Sequence, residues 1–254
     1  MTISIAAKRN HRLVFVALAA GTAVLGLTGF TARSAFASPT RTSHFLTPHR
    51  SLQVLQTAFG TVVERPIREG RVVVVPTSTA ISALSDEVNI RNHAYNPRTG
   101  RLWSQGDTDG AWPLGIRGFT DVATGDVYIN GEVAIETTTP HEMLHANVAP
   151  DFPEAVGLSL YEGATEQLAL DALAASHRPL PKLAEYPKER ALVAAVVHRV
   201  GRAQLARAYL NGGQDLAELV RAIGPETLET AKGDAASGNV GAALAVLQTA
   251  GSGR

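Results

Sequence analysis

The segment His141-Glu142-Met143-Leu144-His145 carries two histidines at the spacing of a metal-binding helix. Residues four apart on an α-helix lie one above the other on the same face, so both imidazoles could bind one ion. Glu142 lies about 100° around the helix from His141, near the ion but free to contact a water molecule beside it. The pattern predicts zinc bound by His141 and His145, with Glu142 as the general base of a hydrolytic reaction.

Helix capping offers a second interpretation of the same residues. Thr139-Pro140-His141-Glu142 matches a capping box with proline at the first helical position. In that case the carboxylate of Glu142 would accept the backbone N–H of Thr139, and the histidines would lie on the helix surface. Capping does not explain the four-residue spacing of the histidines, so the pattern favours metal binding on a helix that begins at Thr139.

A catalytic zinc usually takes three protein ligands, so one more carboxylate is expected after His145. The candidates are Asp151, Glu154, Glu162, Glu166 and Asp171. Glu162 and Glu166 lie four residues apart in a segment that favours helix, so both carboxylates should point to the same side. One of them could bind the metal while the other accepts the free N–H of a ligating imidazole.

Together these residues resemble the zincin metallopeptidases, and among them the gluzincins. The gluzincin pattern is H-E-x-x-H, a spacer, and then a helix with E-x-x-x-D or E-G-x-x-E, and the resemblance covers about Asp126 to Asp171. It implies these roles: zinc ligation by His141, His145 and Glu162, general-base catalysis by Glu142, and orientation of His141 by Glu166.

The resemblance also implies an α+β, zincin-like fold. Its N-terminal lobe would be small and mixed α/β, and its C-terminal lobe all-helical. The stretch from Asp126 to Gly131 would be an edge strand over the cleft, where an extended peptide adds as a further strand. The implied activity is hydrolysis of peptide bonds in a peptide or protein substrate.

The sequence departs from the metzincin variant of this pattern. That variant needs glycine three residues, and histidine six residues, after the second histidine, where this chain has Val148 and Asp151. The only methionines are Met1 and Met143, so a downstream methionine turn is absent from the sequence. Asp151 matches a form with aspartate as third ligand and is the second choice after Glu162.

The elements that position these residues divide into two groups. Before the motif, hydrophobic spacing predicts a helix over 51–63, and four consecutive valines predict a fully buried strand over 71–76. Residues 91–118 are rich in polar and turn-forming residues and are expected to form a long surface excursion. A hairpin is predicted over 118–129, with its turn at 123–126. From Asp151 onward the sequence favours helix, with breaks near 178–181, 211–213 and 224–225.

The amino terminus has the pattern of a secretory leader. Lys8, Arg9 and Arg12 precede an uncharged run from Leu13 to Phe30, and Ala35-Phe36-Ala37 fits the small-x-small cleavage rule. The alternative is a retained membrane anchor, but the run is only weakly apolar for one. The expected organisation is a signal peptide over 1–37, an α/β lobe over 38–150 and a helical lobe over 151–254. The mature protein would then be secreted or extracytoplasmic and free of the membrane.

Composition excludes several other classes of protein. The 254-residue chain has no cysteine, which excludes disulfides, thiolate ligands and a cysteine nucleophile. Removal of residues 1–37 leaves more acids than bases, so the charge does not favour a nucleic-acid partner. Two alternatives to a peptidase remain, a zinc-stabilised binding module without activity and a zinc hydrolase of a non-peptide bond. The oligomeric state is left open.

Overall fold

The computed structural model describes residues 45–92, 95–96, 101–102, 116–181 and 185–249. The predicted leader over 1–37 and most of the predicted excursion over 91–118 lie outside these residues. In the described part the fold is α+β and mostly helical, with one small three-stranded sheet. Across these residues, no helix combines the length and the apolar character that a membrane span requires.

Among the described residues, the strands all come before the segment from His141 to His145. Their bounds are β1 Val72–Val75, β2 Tyr95–Asn96, β3 Arg101–Leu102, β4 Gly118–Asp121 and β5 Asp126–Asn130. β2 and β3 pair with each other, and the main sheet has the order β1-β5-β4. The predicted hairpin is confirmed, since β4 and β5 are antiparallel and the amide of Gly125 donates to the carbonyl of Asp121 across the turn.

Two predictions about the sheet are wrong. The segment from Asp126 was expected to be an edge strand, but β5 is central, because β1 pairs with it in parallel along its whole length. Within the part of the sheet that the structure describes, the outer strands are β1 and β4, and β4 is the hairpin partner of β5. β1 was expected to be fully buried, whereas the side chain of Val74 is 47% exposed, because it lies on an outer strand of the sheet.

Helices flank the sheet and form most of the other described residues. Before the motif they are α1 Pro48–Phe59 and α2 Ser78–Arg91, and from the motif onward they are α3 Thr138–Asn147, α4 Phe152–Val156, α5 Leu158–Ala175, α6 Pro187–Val200, α7 Arg202–Asn211, α8 Gly213–Ile223, α9 Pro225–Ala236 and α10 Val240–Thr249. The predicted breaks near 178–181, 211–213 and 224–225 are confirmed. Three further breaks occur, at Gly157, at Gly201 and over 237–239, and at each of them a glycine with positive φ turns the chain between helices.

Helix α1 begins three residues earlier than predicted and ends before Gly60 instead of at Val63. Thr47 precedes it and Pro48 occupies its first turn, where the missing N–H costs nothing. Its buried side chains, including Leu55 and Phe59, join the hydrophobic core formed by α3, α5 and the later helices. The largest core of the molecule is therefore helical, and the motif helix α3 lies between that core and the sheet.

Helix α5 runs through the middle of this core and is buried on almost every side. At Gly163 its backbone approaches α6 so closely that a Cβ atom would lie 2.5 Å from the carbonyl oxygen of Glu189. The glycine therefore lets α6 pack directly against α5, next to Glu162. This close packing fixes the axial position and the rotation of the helix that carries Glu162 and Glu166.

Candidate metal centre

Helix α3 begins at Thr138, with Thr137 before it, so the predicted start at Thr139 is wrong by one residue. The capping-box interpretation is wrong as well, because Thr139 is inside the first turn. The carboxylate of Glu142 accepts a hydrogen bond from the hydroxyl of Thr120 on β4, at 2.9 Å. Glu142 is thus directed away from the helix start, toward the sheet.

The side chains of His141, His145 and Glu162 meet at one point. The Nε2 atoms of the two histidines are 2.9 Å apart, and Oε2 of Glu162 lies 3.5 Å from Nε2 of His141 and 3.4 Å from Nε2 of His145. A point at about 1.9 Å from all three atoms lies at the centre of this triangle, close to the bond lengths of about 2.0–2.2 Å that zinc makes with His and carboxylate ligands. The three residues form a buried cluster that could hold a metal ion.

Glu162 has the environment of a ligand rather than of a structural carboxylate. Both its oxygens are buried and make no hydrogen bond to the described residues, although the imidazoles lie at ion-pair distance. Burial raises the pKa of Glu162, but the neighbouring His145 and His141 outweigh that effect and lower it to about 2. The carboxylate is therefore ionised at neutral pH. A cation at the shared point would give these buried oxygens a direct partner.

His141 is oriented by Glu166, as the resemblance implies. Its Nδ1 lies 3.0 Å from Oε2 of Glu166, and a carboxylate can only accept, so Nδ1 carries the proton and Nε2 faces the cluster. Burial lowers the pKa of His141, but the carboxylates of Glu162 and Glu166 outweigh it and hold that pKa well above 6.5. The ring of Tyr186 stacks on the imidazole with centroids 5.6 Å apart.

His145 has a partner that the sequence did not suggest. Its Nδ1 lies 2.6 Å from the hydroxyl of Tyr161, which precedes Glu162 on α5. One face of α5 therefore supplies Glu162, the third member of the cluster, together with a partner for each imidazole. The sequence signal for the position of Tyr161 is its adjacency to Glu162 on a helix facing α3.

Glu142 lies against β4 and takes no part in the triangle of ligand atoms. Besides the bond to Thr120, its Cγ occupies space that a side chain at Gly118 would need, since a Cβ there would lie 2.8 Å away. Burial raises the pKa of Glu142 above its usual value, and His145 and His141 offset part of that rise. A carboxylate with a raised pKa is suited to accept a proton near neutral pH.

The other candidates from the sequence lie elsewhere. Asp151, the second choice of ligand, is outside the cluster, and its carboxylate accepts the backbone N–H of Gly213 at 2.9 Å. Asp171 pairs with Arg202 on the surface of α5. The structure therefore brings Glu162, and not Asp151, to the two histidines.

Comparisons with profiles of known protein families, with curated proteins and with solved structures give no match to this chain. The centre is therefore characterised by its own residues and distances. They amount to a buried His-His-Glu group with the carboxylate of Glu142 beside it.

Proposed function

We propose that this chain is a secreted zinc metallopeptidase with a zincin-like arrangement of its catalytic residues. The observation that carries the proposal is the different placement of two buried carboxylates, those of Glu162 and Glu142. Glu162 joins the two imidazoles at ligand distance, whereas Glu142 is held beside them by Thr120 and is left free to move a proton. A site that only binds a metal would not need a carboxylate placed as Glu142 is.

Zinc suits the donor set, because two imidazole nitrogens and one carboxylate oxygen are the ligands of many catalytic zinc sites, which keep a further position for water. His141, His145 and Glu162 would hold the ion. Zinc bound there would supply Lewis acidity that polarises a peptide carbonyl and lowers the pKa of a water molecule to about 7.

The protein's own residues would handle the proton. Glu142 accepts it from the attacking water as the new C–O bond forms, and it returns the proton to the leaving amine nitrogen as the C–N bond breaks. The products are a carboxylate and an amine, so atoms and charges balance. Thr120 and Gly118 keep Glu142 against β4 during these steps.

The proposed substrate is an extended peptide whose backbone lies beside β4. β4 is favoured over β5 because β5 has both sides paired, whereas β4 contacts Glu142 directly. Export depends on the predicted leader over 1–37, so the substrate would be extracytoplasmic. A zinc hydrolase of a non-peptide bond uses the same groups and is distinguished by the substrate that is cleaved.

One observation favours a second candidate, a structural metal centre in a binding module. His141, Glu142, His145 and Glu162 are each only 4% exposed, and structural zinc sites are closed to solvent. Such sites usually have four protein ligands, however, and the described residues provide three.

The test is an activity screen of the purified mature protein on a mixed peptide library. The proposal predicts cleavage that a chelator abolishes and that added zinc restores. Product ends identified by mass spectrometry would show whether peptide bonds are broken. Zinc-loaded protein that cleaves none of these peptides would favour the structural centre, and its cleavage of esters or other amides alone would favour the non-peptide hydrolase.

A further inference from the structure

Behind His145, away from the three ligand atoms, lies a row of buried hydroxyl groups that reaches from α5 to α7. The hydroxyls belong to Tyr161, Tyr209 and Thr165, and each of these residues is at most 2% exposed. Neither Tyr209 nor Thr165 contacts a ligand atom in the cluster. Buried hydroxyls are costly unless they are satisfied, so the bonds they make with one another are well defined.

The direction of each bond follows from the number of protons. The hydroxyl of Thr165 donates to the carbonyl of Tyr161 at 2.9 Å, because a carbonyl can only accept. Thr165 has no second proton, so the hydroxyl of Tyr209, 2.8 Å from it, must be the donor in that bond. The proton of Tyr209 is then used as well.

Counting hydroxyl protons in the same way gives the direction of the bonds nearer the metal centre. Tyr161 and Tyr209 are joined by a hydrogen bond between their hydroxyls, and Tyr209 can only accept in it. Tyr161 therefore donates to Tyr209, and its oxygen accepts from Nδ1 of His145 at 2.6 Å. Nδ1 must carry the proton, so in the neutral imidazole Nε2 of His145 keeps its lone pair, directed at His141 and Glu162.

We propose that Tyr209 and Thr165 are positioning residues for His145, which act through Tyr161 as a one-way hydrogen-bond chain that fixes the imidazole as the Nδ1–H tautomer. The inference deepens the proposed function and rests on it, since only a neutral imidazole with a free Nε2 can bind the metal. The partner of His141 is a carboxylate, which needs no such chain. Tyr161 can donate or accept, so the direction has to be imposed from α7.

The chain predicts the effect of removing its far end. In Tyr209→Phe the proton of Tyr161 loses its acceptor and turns to Nδ1 of His145, so the proton moves to Nε2 and opposes metal binding. Thr165→Val removes the acceptor of Tyr209, so the chain can reverse with the same result. Thr165→Ser keeps the hydroxyl and should behave like the parent, which is the rescue that a merely structural role would not require.

Two measurements without substrate test the proposal. Ring ¹⁵N shifts of His145 in the metal-free protein report the tautomer, and competition with a chelating dye reports the zinc affinity. We expect Nδ1–H in the parent and in Thr165→Ser, and Nε2–H in Tyr209→Phe and Thr165→Val. Zinc affinity should be about 10-fold weaker in the last two variants, which is at the lower end of the effects seen when residues that contact metal ligands are changed. Tyr161→Phe should weaken zinc binding by about 10–100-fold.

Tyr128→Phe is the matched control, because it removes a partly buried hydroxyl on β5 that faces Asp126 and not the centre. It should change neither the tautomer nor the zinc affinity. In addition, Tyr209→Phe should have no further effect once Tyr161→Phe is present.

The proposal is overturned if His145 keeps Nδ1–H and parent zinc affinity in folded Tyr209→Phe. Should that variant fail to fold, as judged by thermal unfolding, the comparison of Thr165→Val with Thr165→Ser decides in the same way. An inactive parent whose tautomer still follows the chain would overturn the peptidase proposal and leave this one intact.

Discussion

Glu142 should be misplaced by a single methyl group on β4. In Gly118→Ala the new Cβ would lie 2.8 Å from Cγ of Glu142, 3.0 Å from the carbonyl oxygen of Tyr128 and 3.1 Å from Cγ2 of Thr138. Ordinary contacts begin near 3.4 Å. The contact with Glu142 is the shortest of the three, so its side chain must move by at least about 0.6 Å to restore an ordinary contact.

We expect kcat/KM to fall by about 100-fold in Gly118→Ala, since a displacement near 1 Å has effects of that order on catalysis. The ligands are not touched, so zinc content should stay at that of the parent. Crowding should lower the free energy of unfolding by about 1–3 kcal/mol. Peptide kinetics, elemental analysis and thermal unfolding measure the three effects separately.

Gly241→Ala is the control for this substitution. Gly241 lies in α10 with open space where the methyl group of alanine would be, so the change should leave kinetics unaltered and stabilise the helix by up to about 1 kcal/mol. A folded, zinc-loaded Gly118→Ala with parent kcat/KM would refute the view that contact with β4 positions Glu142.

Further predictions concern the metal centre. Glu162→Gln should lose most of its zinc affinity, Glu166→Gln should bind zinc about 10–100-fold more weakly than the parent, and Asp151→Asn should keep the parent's affinity. Competition with a chelating dye measures the three affinities. Loss of zinc from Asp151→Asn but not from Glu162→Gln would show that Glu162 is not the third ligand. His145→Ala should bind no zinc and should melt at the temperature of the metal-free parent, in scans with and without zinc. The pKa of His141 lies above 6.5, so zinc binding at neutral pH should release about one proton, measurable by calorimetry in two buffers, and zinc affinity should fall with falling pH. By the same shift, His141 stabilises the metal-free fold fully below pH 6.5, and this contribution should disappear as pH rises through the folded-state pKa.

The local parts of the centre could be predicted from the sequence. The spacing His141 to His145, and Glu162 to Glu166, places side chains on one helical face without any knowledge of the fold. The meeting of these two helices was inferred from the resemblance, and the structure brings them together. The start of α3 was misplaced because Thr137, Thr138 and Thr139 are all eligible to precede a helix.

The remaining features depend on contacts between distant parts of the chain. β5 is central because β1, which lies far earlier in the sequence, pairs with it in parallel, and periodicity does not reveal such a pairing. Thr120 meets Glu142 through the packing of the hairpin on α3. Tyr209 reaches Thr165 only because α7 folds back onto α5. None of these partners carries a motif of its own.

The most direct test of the central claim is the activity of Glu142→Gln. Glutamine keeps the size of the side chain and can still interact with the hydroxyl of Thr120, but it cannot take a proton from water. The account predicts a folded protein with full zinc content and peptide hydrolysis reduced by at least about 10²–10⁴-fold. A folded, zinc-loaded Glu142→Gln that cleaves peptides as fast as the parent would contradict it.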